Sequence, residues 1–223
     1  MIKRVWLAIA TIATVITAIG GLIIFLNEHD WFFDLFEKVD KPHIKEEFLD
    51  NRNGWFLEET DCHVVKILNK KLYVTSNPKG VCNAGYTSTW SSKISLEDFY
   101  PKYEINVTCN LISGSKEVPY GFILSDKDYT EFYRICYYPN GTTNLYYAKG
   151  DSIIESTNIQ DSKSKKGEVK LTLLISGSSY KYYINKELIE QGNFRFYNFS
   201  KIRLLASSTQ TVEFEKVEIT LSD

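Results

Sequence analysis

From Val5 to Leu26 the chain runs through 22 positions without a charged residue, VWLAIATIATVITAIGGLIIFL. At about 1.5 Å of rise per residue, a helix of that length just crosses a hydrocarbon core of about 30 Å, so the pattern predicts a transmembrane helix. Phe32, Leu35, Phe36 and Val39 then recur at helical spacing. They predict a short amphipathic helix in the membrane interface, with Trp31 at headgroup depth. Pro42 ends that stretch, and residues 41–47 read as a linker. From Phe48 onward the apolar residues recur every second position. The alternation predicts strands over 63–68, 71–76, 86–90, 103–112, 120–125, 131–138, 143–148, 152–157, 168–176, 180–185, 201–207 and 212–221. Turn signals such as Asn77-Pro78-Lys79-Gly80, Ser113-Gly114-Ser115, Pro139-Asn140-Gly141 and Ser176-Gly177-Ser178 separate them. Many short strands with no long helix between them predict an all-β sandwich or barrel.

Three segments follow: a membrane anchor at 1–26, an amphipathic flank and linker at 27–47, and a β-domain at 48–223. Lys3 and Arg4 precede the apolar run, whereas Glu28, Asp30, Asp34 and Glu37 follow it. The positive-inside bias then places the N-terminus in the cytoplasm and the β-domain outside, as a single-pass cell-membrane protein. A cleaved signal peptide ending near Ala18-Ile19-Gly20 is the competing reading, but the apolar run continues to Leu26. Ala10, Thr14, Thr17 and Gly21 fall on one helical face. Such a seam of small residues lets two helices approach closely, so a homo-oligomer through the membrane helix is expected.

The totals narrow the classes. The 223 residues carry 26 basic and 28 acidic side chains, a formal net charge of −2, which predicts no nucleic-acid partner. The basic run Lys163-Ser164-Lys165-Lys166 sits in a polar turn and reads as a solvated loop. With 15 Tyr and 13 Phe the chain is rich in residues that favour pleated, half-buried surfaces. His29, His43 and His63 are scattered and no two cysteines have ligand spacing, so no metal is expected, nor any other cofactor. Asp126 and Asp128 flank a turn, but two carboxylates are too few to hold calcium. Three sequons, at Asn106, Asn140 and Asn198, carry no argument alone.

Phe48-Leu49-Asp50-Asn51-Arg52-Asn53-Gly54-Trp55 resembles the opening of concanavalin A-like, laminin-G-like jelly rolls of bacterial exported proteins. Tyr120-Gly121-Phe122-Ile123-Leu124, then Phe132-Tyr133-Arg134-Ile135 and Asn140-Gly141, is similar to the central meander of that family. The stretch from Tyr182 to Ile189 is similar to its strand–turn–strand, with Lys186 where glycine is usual, and Val212 to Ile219 to its last strand. Lys201-Ile202-Arg203 departs from the glycine-containing strand of the family. The resemblance spans residues 48 to 221 and implies an antiparallel β-sandwich, not one particular activity. Within the opening motif, Asp50, Asn51 and Asn53 suit a self-bonded turn, Gly54 a positive φ, and Trp55 a plug at one end of the sandwich.

Four cysteines stand at 62, 82, 109 and 136. Sequence order suggests Cys62–Cys82 and Cys109–Cys136 bridges, with buried free thiols the alternative for the second pair, which lies mid-strand among apolar residues. Some sugar-cleaving enzymes on the resembled fold line up carboxylates on one strand, which draws attention to Glu213, Glu215 and Glu218. A bulge near Lys216 would turn Phe214, Val217 and Ile219 inward and return Glu218 to the outer face. No nucleophile elbow, phosphate loop or zinc-helix motif occurs. The tyrosine-rich strands suit recognition better than catalysis. On 131–138, Tyr133, Ile135 and Tyr137 share one face, and Phe132, Arg134, Cys136 and Tyr138 the other. Arg134, Tyr138, Tyr147 and Tyr183 are therefore the candidate ligand contacts, for a glycan or a protein partner, in a non-catalytic module held against membrane lipid. Two other functions stay open: a cytoplasmic ligand-sensing sandwich that controls helix association, and a glycan hydrolase using Glu213, Glu215 and Glu218.

Overall fold

The structure is a computed structural model that describes residues 43–222, except 78, 80, 83–86, 151, 161–166 and 208. The membrane helix from Val5 to Leu26, the Ala10, Thr14, Thr17 and Gly21 seam, the interfacial segment at Trp31 and the basic run at 163–166 lie outside the described residues. Among the described residues no helix is long and apolar enough to cross a membrane.

In chain order the strands are β1 (His43–Glu46), β2 (Glu58–Glu59), β3 (His63–Leu68), β4 (Lys71–Ser76), β5 (Thr87–Ser95), β6 (Lys102–Ser113), β7 (Tyr120–Ser125) and β8 (Glu131–Tyr137). They continue with β9 (Thr142–Lys149), β10 (Ser152–Gln160), β11 (Val169–Ser176), β12 (Ser179–Ile184), β13 (Glu187–Asn193), β14 (Lys201–Ser207) and β15 (Thr211–Leu221). Two antiparallel sheets result. Sheet A runs β13-β12-β11-β6-β15-β4-β3-β2, with β1 also on β15, and sheet B runs β10-β9-β8-β7-β14-β5. Alternation explains the core between them. Val107, Leu171, Leu173, Phe214, Val217 and Ile219 come from sheet A, and Phe122, Leu124, Ile135, Leu145, Ile202 and Leu204 from sheet B.

Residues 43–46 are not linker. β1 pairs with β15 in the register Glu46↔Val217, beside the stretch where β15 leaves β4. The anticipated bulge is present: the β15–β6 register shifts between Phe214 and Lys216, and Phe214, Val217 and Ile219 all face the core. The opening turn is built as its residues predict. Asn51 accepts from the Trp55 amide at 2.7 Å and donates to the Trp55 carbonyl at 2.9 Å, Gly54 takes φ 60°, and Trp55 is buried. In the β12–β13 turn Asn185 and Lys186 adopt φ 50° and 72°, so the lysine occupies the left-handed position that glycine usually fills.

Cys62 and Cys82 form a disulfide. Cys109 and Cys136 do not; both are free and buried. Cys109 points into the core between the sheets and Cys136 belongs to a cluster on the opposite face of sheet B, so the sheet itself separates the two sulfurs. Burial pushes the Cys109 thiol far up and the Cys136 thiol up to about 12, which keeps both protonated and unreactive at neutral pH.

Candidate functional site

The outer faces of the two sheets differ in chemistry. That of sheet A is polar and internally paired. Glu213 accepts from Lys71 Nζ at 2.8 Å and Tyr73 Oη at 2.6 Å, while Glu218 is met by Lys216 at 2.7 Å and His43 at 3.3 Å. The outer face of sheet B instead has an apolar floor of Ile123, Phe132, Cys136, Ala148 and Leu205, with Tyr129, Tyr138 and Tyr146 packed against it. β7 is buried along its whole length, on both faces.

The register sets out that second face in rows. One row crosses four strands as Arg203↔Ile123↔Arg134↔Tyr146. Strand twist and side-chain length bring the next row's Phe132 and the β7–β8 turn's Tyr129 into the same group. The Arg203 guanidinium carbon lies 4.6 Å from the Tyr129 ring centre, and Tyr129 stacks on Phe132 at 4.6 Å with a 9° tilt. Arg134 then sits 5.8 Å from Phe132 and 4.8 Å from Tyr146. Two cations are interleaved with three rings across the sheet, an arrangement that holds each guanidinium without consuming its hydrogen-bond donors. A cleft of about 390 Å³ opens on this group, lined by Tyr129, Phe132, Arg134, Tyr146, Ala148 and Ile153. Burial raises the Tyr146 and Tyr138 phenol pKa values, so both hydroxyls remain donors at neutral pH.

Of the four ligand contacts expected from sequence, two come together here. Arg134 and Tyr138 share the outer face of sheet B. Tyr147 does not join them: it faces the core and stacks on Tyr133 at 5.0 Å, because β9 turns Thr143, Leu145 and Tyr147 inward. Tyr183 lies on the outer side of the other sheet, opposite Thr172, after a register shift between Tyr182 and Tyr183. Tyr129, Phe132, Tyr146 and Arg203 were not expected at the site. Strand alternation already put Phe132 beside Arg134, but Tyr129 is a turn residue at φ 60° and Arg203 arrives from a strand some 70 residues later.

The carboxylates Glu213, Glu215 and Glu218 all reach the outer side of sheet A, as the bulge predicts. Glu168 stands against Glu215, and that hydrogen bond, burial and the Glu215 charge raise the Glu168 pKa; Glu215 itself lies 3.9 Å from Lys71. Glu168 and Glu215 border a depression of about 450 Å³, also lined by Glu47, Lys70, Thr108 and Lys216. For Glu213, burial raises the pKa, but the Lys71 and Tyr73 hydrogen bonds and the Lys71 charge outweigh it, so the net shift is downward. A depressed carboxylate pKa contributes stability that is present above the ordinary value near 4.5 and lost as pH falls through the folded-state value. Glu213→Gln should therefore lower stability at pH 7 by about 1.5 kcal/mol and leave a smaller loss on acidification below pH 4.5. Urea unfolding at pH 7 and pH 3.5 measures both.

No family model matches the chain, and no curated protein is similar to it in sequence. Solved structures are similar to it in fold. A carbohydrate-binding module, CBM66, from Bacillus subtilis superposes with a TM-score of 0.58 at 15% identity, covering 77% of this chain and 98% of that one. A Bacillus subtilis protein of unknown function with a galectin-like fold gives 0.57 at 9% identity, covering 79% and 94%. A laminarinase from Flavobacterium sp. UMI-01 gives 0.58 at 14% identity, covering 79% and 98%. The described domain is a concanavalin A-like jelly-roll sandwich, a fold that houses both glycan-binding modules and glycan-cleaving enzymes.

Proposed function

We propose that this protein is a non-catalytic glycan-binding module, held at the outer side of a cell membrane by the helix from Val5 to Leu26 and binding through the outer face of sheet B. The observation that carries the reading is the Tyr129–Phe132 stack and Tyr146 beside the cleft, with Arg134 and Arg203 laid on the rings. The half-buried Tyr129 and Tyr146 offer apolar surface to one face of a pyranose while guanidinium and phenol donors meet its hydroxyls. The carbohydrate-binding module among the structures of similar fold agrees with it. The Cys62–Cys82 disulfide supports an oxidising compartment, hence export of the domain, with the N-terminus inside. Self-association of the membrane helix through Ala10, Thr14, Thr17 and Gly21 belongs to the same proposal.

The test is a glycan array probed with the full-length protein in detergent micelles. Binding should appear for a defined set of glycans and fall about tenfold or more in Arg134→Ala, each tenfold being about 1.4 kcal/mol. Binding that ignores Arg134→Ala and Tyr146→Ala would place the site elsewhere. The Glu168–Glu215 pair beside Glu213 favours one second reading, glycan hydrolysis on sheet A. It predicts release of reducing ends that stops in Glu215→Gln.

A further inference from the structure

We infer that the glycan taken by the outer face of sheet B is an acidic one, its oxyanion held between Arg134 and Arg203. The inference rests on the glycan-binding reading and adds the charge of the ligand.

Four arginines lie among the described residues, and they divide cleanly. Arg52 is paired with Asp50 at 2.9 Å and Arg195 with Glu155 at 2.7 Å. Arg134 and Arg203 have neither a hydrogen bond nor an ion pair to any described residue, and the Nε of each is buried without an acceptor. Both belong to the same row, one strand apart across Ile123. With strands about 4.8 Å apart, their Cα atoms are separated by roughly 10 Å, a span that one acidic sugar bridges. Both guanidinium groups are already packed over rings, so little side-chain freedom is left to lose on binding.

Among the described residues the surroundings supply no counter-charge. The outward residues of the three rows are Thr89, Leu205, Gly121, Cys136, Asn144 and Asn158; Ser91, Arg203, Ile123, Arg134, Tyr146 and Ser156; and Lys201, Ser125, Phe132, Ala148 and Ile153. There is no carboxylate among them, and Lys201 adds a third cation. At the edges, Asp126 is engaged by Thr130 within the β7–β8 turn, Asp128 is an exposed residue of that turn, and Glu131 is paired with Lys149. A chain with a net charge of −2 thus gathers three cations on one face and leaves two of them partly desolvated, with no partner among the described residues. A neutral sugar leaves that desolvation cost in place. A carboxylate or a sulfate or phosphate ester offsets it by its charge and by charge-assisted hydrogen bonds from the terminal guanidinium nitrogens.

The experiment measures binding of the full-length protein in neutral detergent to three soluble oligosaccharide probes of matched length: oligogalacturonate, sulfated dextran and unmodified dextran. The expected result is that at least one acidic probe binds on the order of tenfold or more tightly than dextran, weakening as NaCl rises from 50 to 300 mM. Tighter oligogalacturonate binding identifies a carboxylate as the anion, and tighter sulfated dextran a sulfate-like ester. Arg134→Gln and Arg203→Gln should each remove about tenfold of the acidic-probe affinity, and the Lys variants should restore only part of it. Thermal unfolding checks the fold of each variant, and the salt dependence of the unaltered protein stands if one fails to fold. Dextran bound as tightly as the acids through Arg134, or acid binding indifferent to Arg203, overturns the inference while leaving the glycan-binding face intact. Failure of every glycan on the array and of all three probes overturns both.

Discussion

Glu46→Ala is expected to destabilise the sandwich by about 3 kcal/mol, an effect out of proportion to a glutamate at the edge of a charged segment. Glu46 is 2% exposed and has no cationic partner among the described residues. Its carboxylate is held by three donors instead. One oxygen accepts from the Phe48 amide at 2.6 Å, the other from Asn53 Nδ2 at 2.7 Å and from Trp55 Nε1 at 3.1 Å. Phe48 sits at φ 49°, a left-handed conformation in which a side chain is strained, and the bond from its amide helps hold it there. Truncation leaves three donors without their acceptor and opens space beside Trp55 and Phe48, whose rings pack at 5.8 Å in the core. Glu46→Gln retains the shape but turns one acceptor into a donor facing other donors, so it should recover less than half of the loss. Urea midpoints of the three proteins decide the matter. A loss under about 1 kcal/mol for alanine would mean that water replaces the carboxylate.

That residue also marks the limit of what the chain displays in one dimension. Where apolar and polar positions alternate, strand bounds were legible: β3, β4, β7 and β14 begin and end where the pattern places them. The bulge in β15 was legible too, because Phe214, Val217 and Ile219 cannot share a face without it. β1 was hidden because His43-Ile44-Lys45-Glu46 looks solvated, and a carboxylate buried on backbone and indole donors has no signature in hydropathy. β13, Glu187–Asn193, is a polar edge strand and appeared only through its turn. The cysteines failed for a related reason. Nearness in sequence paired Cys109 with Cys136, although alternation already placed Cys136 on the face of Arg134, away from the core. At the site, one strand's alternation delivered Arg134 and Tyr138 and put Phe132 on their face without marking it as a contact. Tyr147 beside Tyr146 was ambiguous by one position, and one position reverses a side chain on a sheet. Tyr129 and Arg203 needed the strand order β8-β7-β14, which no local pattern specifies.

Gly121→Ala should cost about as much as the loss of Glu46 and should also damage the binding face, which Glu46→Ala does not touch directly. Gly121 lies within β7 at φ 153°, opposite Cys136 on one side and Leu205 on the other. A Cβ there would stand 2.1 Å from the Ile135 carbonyl oxygen and 3.2 Å from its carbon. The obstacle is backbone in a paired strand, so relief requires β8 to move away from β7 and hydrogen bonds of that ladder to stretch. The expected loss is about 3 kcal/mol, or roughly 6–12 °C in the melting temperature for a domain of this size. Gly177→Ala is the control. Gly177 also has positive φ, 56°, but its Cβ would meet nothing within 4 Å, so only the left-handed backbone is penalised, by about 1 kcal/mol. The contrast separates crowding from conformational strain. Because β8 carries both Phe132 and Arg134, Gly121→Ala should also weaken binding of the acidic probe in protein that remains folded, whereas Gly177→Ala should not. Equal melting temperatures for the two variants would show that β7 and β8 can part without cost, and the rigid platform assumed for Arg134 would go with it.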